Sequence, residues 1–187
     1  MSRFSRLIPV VALSLLTTPA FAAGWTIDAS KSSLGFTGSQ SGSAFTGKFA
    51  RWDGKIDFDP ANPAAGHALI SIDMASAATG DTQKDEALPQ SDWFDVKSFP
   101  KAVFEATSFR AKGGNAYEAV GKLTIRNQSK DVVLPFTLDI AGDQAHAKGR
   151  LDILRGDYGV GQGSWKTPDF VALEVGVTFD LTAARQK

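Results

Sequence analysis

Apolar and polar residues alternate along most of the chain. Val171, Leu173, Val175, Val177, Phe179 and Leu181 share one face of an extended stretch, and Ala172, Glu174, Gly176, Thr178 and Asp180 share the other. Period two sustained over eleven residues predicts a strand with one buried face. Val132, Leu134, Phe136, Leu138 and Ile140 repeat the pattern, with Pro135 on the opposite parity, which predicts an edge or a bulge there. Ala68, Ile70, Ile72 and Met74 form another apolar face, opposed by His67, Ser71 and Asp73. Shorter pieces follow suit: Trp25/Ile27, Leu34/Phe36, Phe45/Phe49, Ile56/Phe58, Leu123/Ile125 and Leu151/Ile153. Between Ala102 and Arg110 the parity breaks, because Phe104 and Phe109 fall on opposite faces, so a bulge or two-sided burial is expected.

Turn-forming clusters separate the runs: Asp59-Pro60 with Asn62-Pro63, Lys112-Gly113-Gly114-Asn115 and Ala141-Gly142-Asp143. Spacing of roughly ten residues between such turns is that of an all-β sandwich or barrel. One interval, 79–96, lacks alternation. Thr82-Gln83-Lys84-Asp85 resembles a capping box and Glu86-Ala87-Leu88 favour a helix, so one or two short helices are predicted there, ended near Pro89 and before Pro100. Strands with one apolar face must close on themselves or stack on a second sheet, and periodicity alone does not choose. Gly47 and Gly121 among large apolar neighbours fit either a lumen or a bend.

The first 22 residues read differently. Arg3 and Arg6 precede an apolar run from Leu7 to Leu16, and Ala20-Phe21-Ala22 supplies a small-x-small cleavage signature. This predicts a signal peptide over 1–22, a single domain over 23–187, and export to a bacterial periplasm. The apolar run is about half of what spans a bilayer.

Composition narrows the chemistry. The 187 residues include no Cys and only two His, His67 and His146, far apart in sequence. Thiolate metal sites, disulfides and Cys nucleophiles are excluded, and no metal site is expected. Twenty basic residues balance twenty acidic ones, unlike a nucleic-acid binder with its basic excess. Gly159-Val160-Gly161-Gln162-Gly163 lacks the Lys-Ser/Thr of a phosphate loop and reads as a flexible turn. No Gly-x-Ser-x-Gly elbow supports a hydrolase, so no enzyme activity is expected. Both His are expected at the surface, His146 in a turn-rich segment. The aromatic residues Trp93, Phe94, Phe99 and Phe104 gather around the helical interval and fit either core or a rim over an apolar cavity.

The pieces follow one another in a set order: Trp25-Thr26-Ile27-Asp28, Ser32, Phe36, Gly47-x-Phe49 and Ile56-Asp57-Phe58-Asp59-Pro60. Then come Ile72-Asp73, Thr79-Gly80, Asp85, Leu88, Asp92-Trp93-Phe94-Asp95, Pro100 and Phe104. Gly121-Lys122-Leu123-Thr124-Ile125 and the run Arg155 to Gly161 complete the series. This ordered set resembles the YceI-like family of polyisoprenoid-binding proteins. The resemblance implies a lipocalin-like antiparallel β-barrel of about eight strands, with an apolar lumen for an isoprenoid or quinone-type lipid and no other cofactor. The family usually carries Gly where this chain has Asn127, which a positive φ would tolerate.

Residues and resemblance together predict a periplasmic carrier or store for a long-chain isoprenoid-type lipid. The expected lining is Phe36, Phe49, Ile70, Ile72, Met74, Leu123, Ile125, Leu134, Phe136 and Leu138, with Trp93 and Phe94 at the mouth. Arg155 is placed either against a polar head group or in a structural salt bridge. Rival readings are a quinone-presenting accessory of a membrane cytochrome, a stress-related scavenger of apolar compounds, and a filled sandwich acting as an interaction module. A membrane-protein partner and a homodimer stay open at this point.

Overall fold

A computed structural model describes residues 24–186, so the expected signal peptide lies outside the described residues. Eleven strands follow in chain order: β1 Gly24–Ile27, β2 Ser33–Gln40, β3 Ser43–Phe49, β4 Trp52–Asp57, β5 His67–Asp73, β6 Ala77–Ala78, β7 Lys101–Gly113, β8 Ala116–Ile125, β9 Gln128–Ala141, β10 Gln144–Leu154 and β11 Glu174–Arg185. Helix α1 spans Thr82–Ala87. All pairings are antiparallel.

The sheet closes because β11 holds two partners along one edge. Its residues 183–185 pair with β1 and its residues 176–180 pair with β2. β4 pairs β1 while β3 pairs β2, and β5 and β6 continue these two courses. Taken as composites, β1/β2, β3/β4 and β5/β6 join β7 to β11 in an eight-strand up-and-down barrel, the lipocalin-like fold expected. Eight strands leave an interior that side chains can nearly fill or that can hold one small ligand.

The alternation reads directly onto the wall. Lys55, Glu105, Lys122, Asp139 and Lys148 face out and are exposed, while Ile56, Phe104, Leu123, Leu138 and Ala147 face in. This is the reverse of a membrane-spanning barrel, whose apolar band faces lipid. The parity break in β7 is a bulge between Ala106 and Ser108, and it brings Phe104 and Phe109 to the same interior. Gly121 sits opposite this bulge, where a Cβ would strike the Glu105 carbonyl, so it serves a close backbone approach. Gly47 instead lies under the ring of its cross-strand partner Phe36. Gly149 lies likewise under Phe179, and Gly54 under Ile70.

Several sequence expectations need correcting. The last strand begins at Glu174 and runs to Arg185, because Val171 makes only an isolated bridge to Gln40. The α1 cap is Asp81, whose carboxylate accepts from the Lys84 N–H. Asp85 reaches back instead to the Thr79 N–H and hydroxyl at 2.6 and 2.7 Å and to the Gly80 N–H. These donors hold its carboxyl below the usual carboxylate range. His146 lies in β10 and bonds Asp180 at 2.7 Å; it is not in a turn. The β8–β9 turn needs positive φ at both central residues, Arg126 at 48° and Asn127 at 59°, so Asn127 fits its place.

Candidate functional site

Inside the barrel lies a lumen of about 160 Å³. Twenty-three residues line it and every one is apolar. Two clusters of buried residues pack around it, and nearly all of the second belongs to its wall. At the end that carries the long connections, Phe36, Phe49, Met74, Phe94, Tyr158 and Val160 pack together, with the rings of Phe36 and Phe49 5.3 Å apart. At the opposite end, Trp25, Phe58 and Phe109 form the second cluster, and the Trp25 indole N–H donates to the Phe58 carbonyl at 3.0 Å. Trp52, Phe104 and Phe179 touch both clusters and span the space between.

The expected lining residues divide accordingly. Ile70, Ile72, Leu123, Leu134, Phe136 and Leu138 line the lumen. Phe36, Phe49, Met74 and Phe94 belong to the plug at the loop end, and Ile125 packs against it. Trp93, half-buried, packs at a tilt against Trp165 with ring centroids 5.5 Å apart. The lumen also takes Trp25, Phe58, Val177, Phe179 and Leu181, which the sequence reading placed on apolar strand faces without assigning them to the lining, and Trp52, which it did not single out. Their shared parity was the available signal: Trp52, Gly54 and Ile56 alternate, and Val177 to Leu181 belong to the clearest alternation in the chain.

Arg155 is buried and makes no salt bridge, which corrects that expectation. Its Nε donates to the Ala172 carbonyl at 3.0 Å, Nη1 to Val160 at 3.0 Å, and Nη2 to Trp165, Val171 and Thr167 at 2.6, 2.8 and 3.3 Å. Every acceptor is a main-chain oxygen of the β10–β11 connection, so the guanidinium organises that loop from within. Burial alone pushes its pKa down, and it remains charged. The glycine-rich stretch is correspondingly tethered and not a loose turn: Gly161 and Gln162 N–H groups both donate to the Asp92 carbonyl, at 2.8 and 2.7 Å. Arg126 ties the same loop to its neighbour through one nitrogen, donating to the Trp93 and Gly159 carbonyls at 2.6 and 2.7 Å.

Among the described residues no three His, Asp or Glu side chains converge as a metal site. The lumen can exclude water and bury an apolar chain, and it offers that chain no polar partner.

Comparison with known proteins agrees with this geometry. The sequence profile of the YceI-like domain matches residues 25–183. The chain is 35% identical to Burkholderia cenocepacia BcnA, whose crystal structure superposes with a TM-score of 0.82 over 84% of this chain and 99% of that one. It shares its fold with a polyisoprenoid-binding domain from Saccharophagus degradans implicated in plant cell wall breakdown, at 15% identity and a TM-score of 0.68, covering 89% of this chain and 99% of that one. A UPF0312 protein of Yersinia pestis (strain Pestoides F) is 31% identical over 144 residues, 75% of this chain and 67% of its own length.

Proposed function

The chain belongs to the YceI-like domain family, and on that premise we propose that it carries or stores a single isoprenoid-type lipid in its lumen, without catalysis, after export to the periplasm. The observation that carries this reading is the lumen itself: lined only by apolar side chains, with the cluster around Phe36, Phe49 and Phe94 packed at its loop end. A polyisoprenoid-binding relative with the same fold supports the ligand class, and the segment 1–22 supports export. Affinity arises from buried apolar area, about 0.8 kcal/mol per buried CH₂ before ordering costs. At about 160 Å³ the lumen falls short of the roughly 300–1,000 Å³ of a typical ligand pocket. A long chain is therefore accommodated only as lining rings swing aside.

Titration of a polyprenyl quinone, followed by quenching of Trp25 and Trp52, tests the reading. Saturable quenching is expected for the wild type and for Ser71→Glu, whose side chain lies on the outward face. Ile72→Glu puts a carboxylate into the lumen wall and abolishes binding, folding or both. Ile72→Ala keeps the fold and weakens a long-chain ligand. A folded wild type that takes up no isoprenoid compound refutes the carrier reading.

A further inference from the structure

The ladder between β9 and β10 is incomplete. Their register runs from Ala141–Gln144 to Phe136–Gly149 and stops. Beyond it, β9 residues 128–135 pair only with β8, and β10 residues 150–154 pair only with β11. Pro135 is the first residue past the last pair and brings no N–H to a ladder. The barrel wall thus has a lateral seam along the half nearer the long loops.

Val132, Leu134, Leu151 and Ile153 project inward from the two lips of the seam and are partly exposed, as are the inward Phe136, Leu138 and Ile140 where the ladder is complete. Leu134 and Leu151 line the lumen, so the seam communicates with it. On the outer side, Val133 and Leu154 leave apolar surface at 45% and 44% exposure, one on each lip.

The loop end of the seam, at Gln128 and Gly156, meets a second hollow of about 300 Å³. Unlike the lumen it is polar, with Arg126, Gln128, Asp157, Tyr158 and Gln162 in its wall. Tyr158 is only 2% exposed, yet its hydroxyl takes part in none of the described hydrogen bonds and is not an enclosed orphan atom. That hydroxyl therefore meets the hollow. Burial, then the Asp157 charge, push its ionisation up, so it stays an O–H donor. Arg126 lies within 4.0 Å of the Asp95 carboxylate, and Asp157 adds another negative charge. Such a balance suits an uncharged oxygen acceptor over an anion.

We propose that the chain of an amphiphile passes between β9 and β10 into the lumen, and that its polar head, an uncharged carbonyl or hydroxyl oxygen, settles in the hollow on the Tyr158 hydroxyl. This rests on the lumen being the lipid site, and equilibrium binding by the wild type tests that premise separately. For the head, Tyr158→Phe is titrated with a polyprenyl quinone, a polyprenyl phosphate and a headless isoprenoid hydrocarbon. The quinone weakens about five-fold, the worth of one hydrogen bond, and the hydrocarbon does not change. Equal effects on both, no effect on either, or a phosphate that outcompetes the quinone in the wild type overturns the head site.

For the route, Val133→Cys and Asp152→Cys are combined. Continuing the register sets them opposite each other across the seam, and the chain has no cysteine of its own. Bridging them with a bis-maleimide slows quinone association and dissociation at least ten-fold at unchanged Kd, while the single variants capped with the small N-methylmaleimide behave as wild type. Where the bridge does not form, a bulky maleimide adduct on Asp152→Cys is compared with the same adduct on Asp139→Cys, which lies in the closed part of the ladder. Wild-type rates in the bridged protein, or equal rates for the two adducts, overturn the lateral route. A wild type that binds no isoprenoid at all removes the underlying carrier reading instead.

Discussion

Replacing Arg155 with Met should free the β10–β11 connection while leaving the barrel closed. The side chain is 3% exposed and makes five hydrogen bonds to carbonyl oxygens between Val160 and Ala172. A hydrogen bond to a charged group contributes roughly 1.5–3 kcal/mol, so the five together approach the whole stability of an ordinary domain. The loss cannot be that large, because the loop has a cheaper response than leaving its carbonyls buried and bare. It can lift away and hydrate them, while β10 and β11 remain paired over eleven residues. The cost is then set by loop detachment and by exposure of Tyr158, Val160 and Val171. About 3–5 kcal/mol is expected, as for breaking other buried charged networks. For a chain of this size that lowers Tm by about 10 °C. Arg155→Lys should recover only part of it, since an ammonium offers three donors and no planar fork. Urea denaturation gives the global cost. Amide hydrogen exchange should show the loss of protection concentrated in 155–173, with β5, β7 and β8 unaffected. Wild-type melting and unchanged exchange in that loop would mean the carbonyl cage contributes little, and the reasoning fails.

Other outcomes follow from single positions. Gly121→Ala should cost about 2–3 kcal/mol or more in urea unfolding, because the new Cβ meets the Glu105 carbonyl and Ala106 Cα, backbone atoms that cannot step aside. Asn127→Val should lower stability by roughly 1–2 kcal/mol, since a β-branched residue resists the left-handed turn, whereas Asn127→Gly should be neutral or better. Asp73, Asp85 and Asp180 all have carboxyl pKa values held down in the fold, by Arg51, by the Thr79 donors, and by Lys148 with His146. Their contribution is thus complete above the unfolded carboxyl range and is lost as pH falls from there through the lowered folded values, so acid titration should show stability dropping below about pH 4. Asp85→Asn should flatten that drop, and a curve as steep as the wild type's would rule out the Asp85 share.

Much of the wall was legible from parity alone. The strands, the bulge after Ala106 and the short helix each follow from local chemistry that acts over a few residues. Closure was not legible that way, because it depends on Trp25 meeting Arg185 and Phe36 meeting Val177, pairings across most of the chain. For the same reason parity named apolar faces without saying which residues stop the ends. Phe49 and Phe94 obey the alternation or the aromatic clustering as well as Phe136 does, yet they form a plug where Phe136 lines the lumen. Arg155 was opaque for a different reason: its partners are carbonyl groups, which carry no side-chain signature. Pro135 showed its edge position in the sequence, but not which neighbour it would leave.

The three inward glycines have a consequence for how such a barrel changes over generations. Phe36, Phe179 and Ile70 each lean over a cross-strand Gly47, Gly149 or Gly54. The missing methyl is the berth in which each large side chain lies flat against the wall. Each glycine codon is one base change from alanine. Alanine at Gly47 or Gly54 would tip the Phe36 ring or the Ile70 branch toward the axis, whereas at Gly149 it would also meet the Pro135 carbonyl oxygen. The bore can thus be narrowed in two separate, heritable steps. Such steps would shift the preferred girth and length of guest while leaving topology and surface as they were.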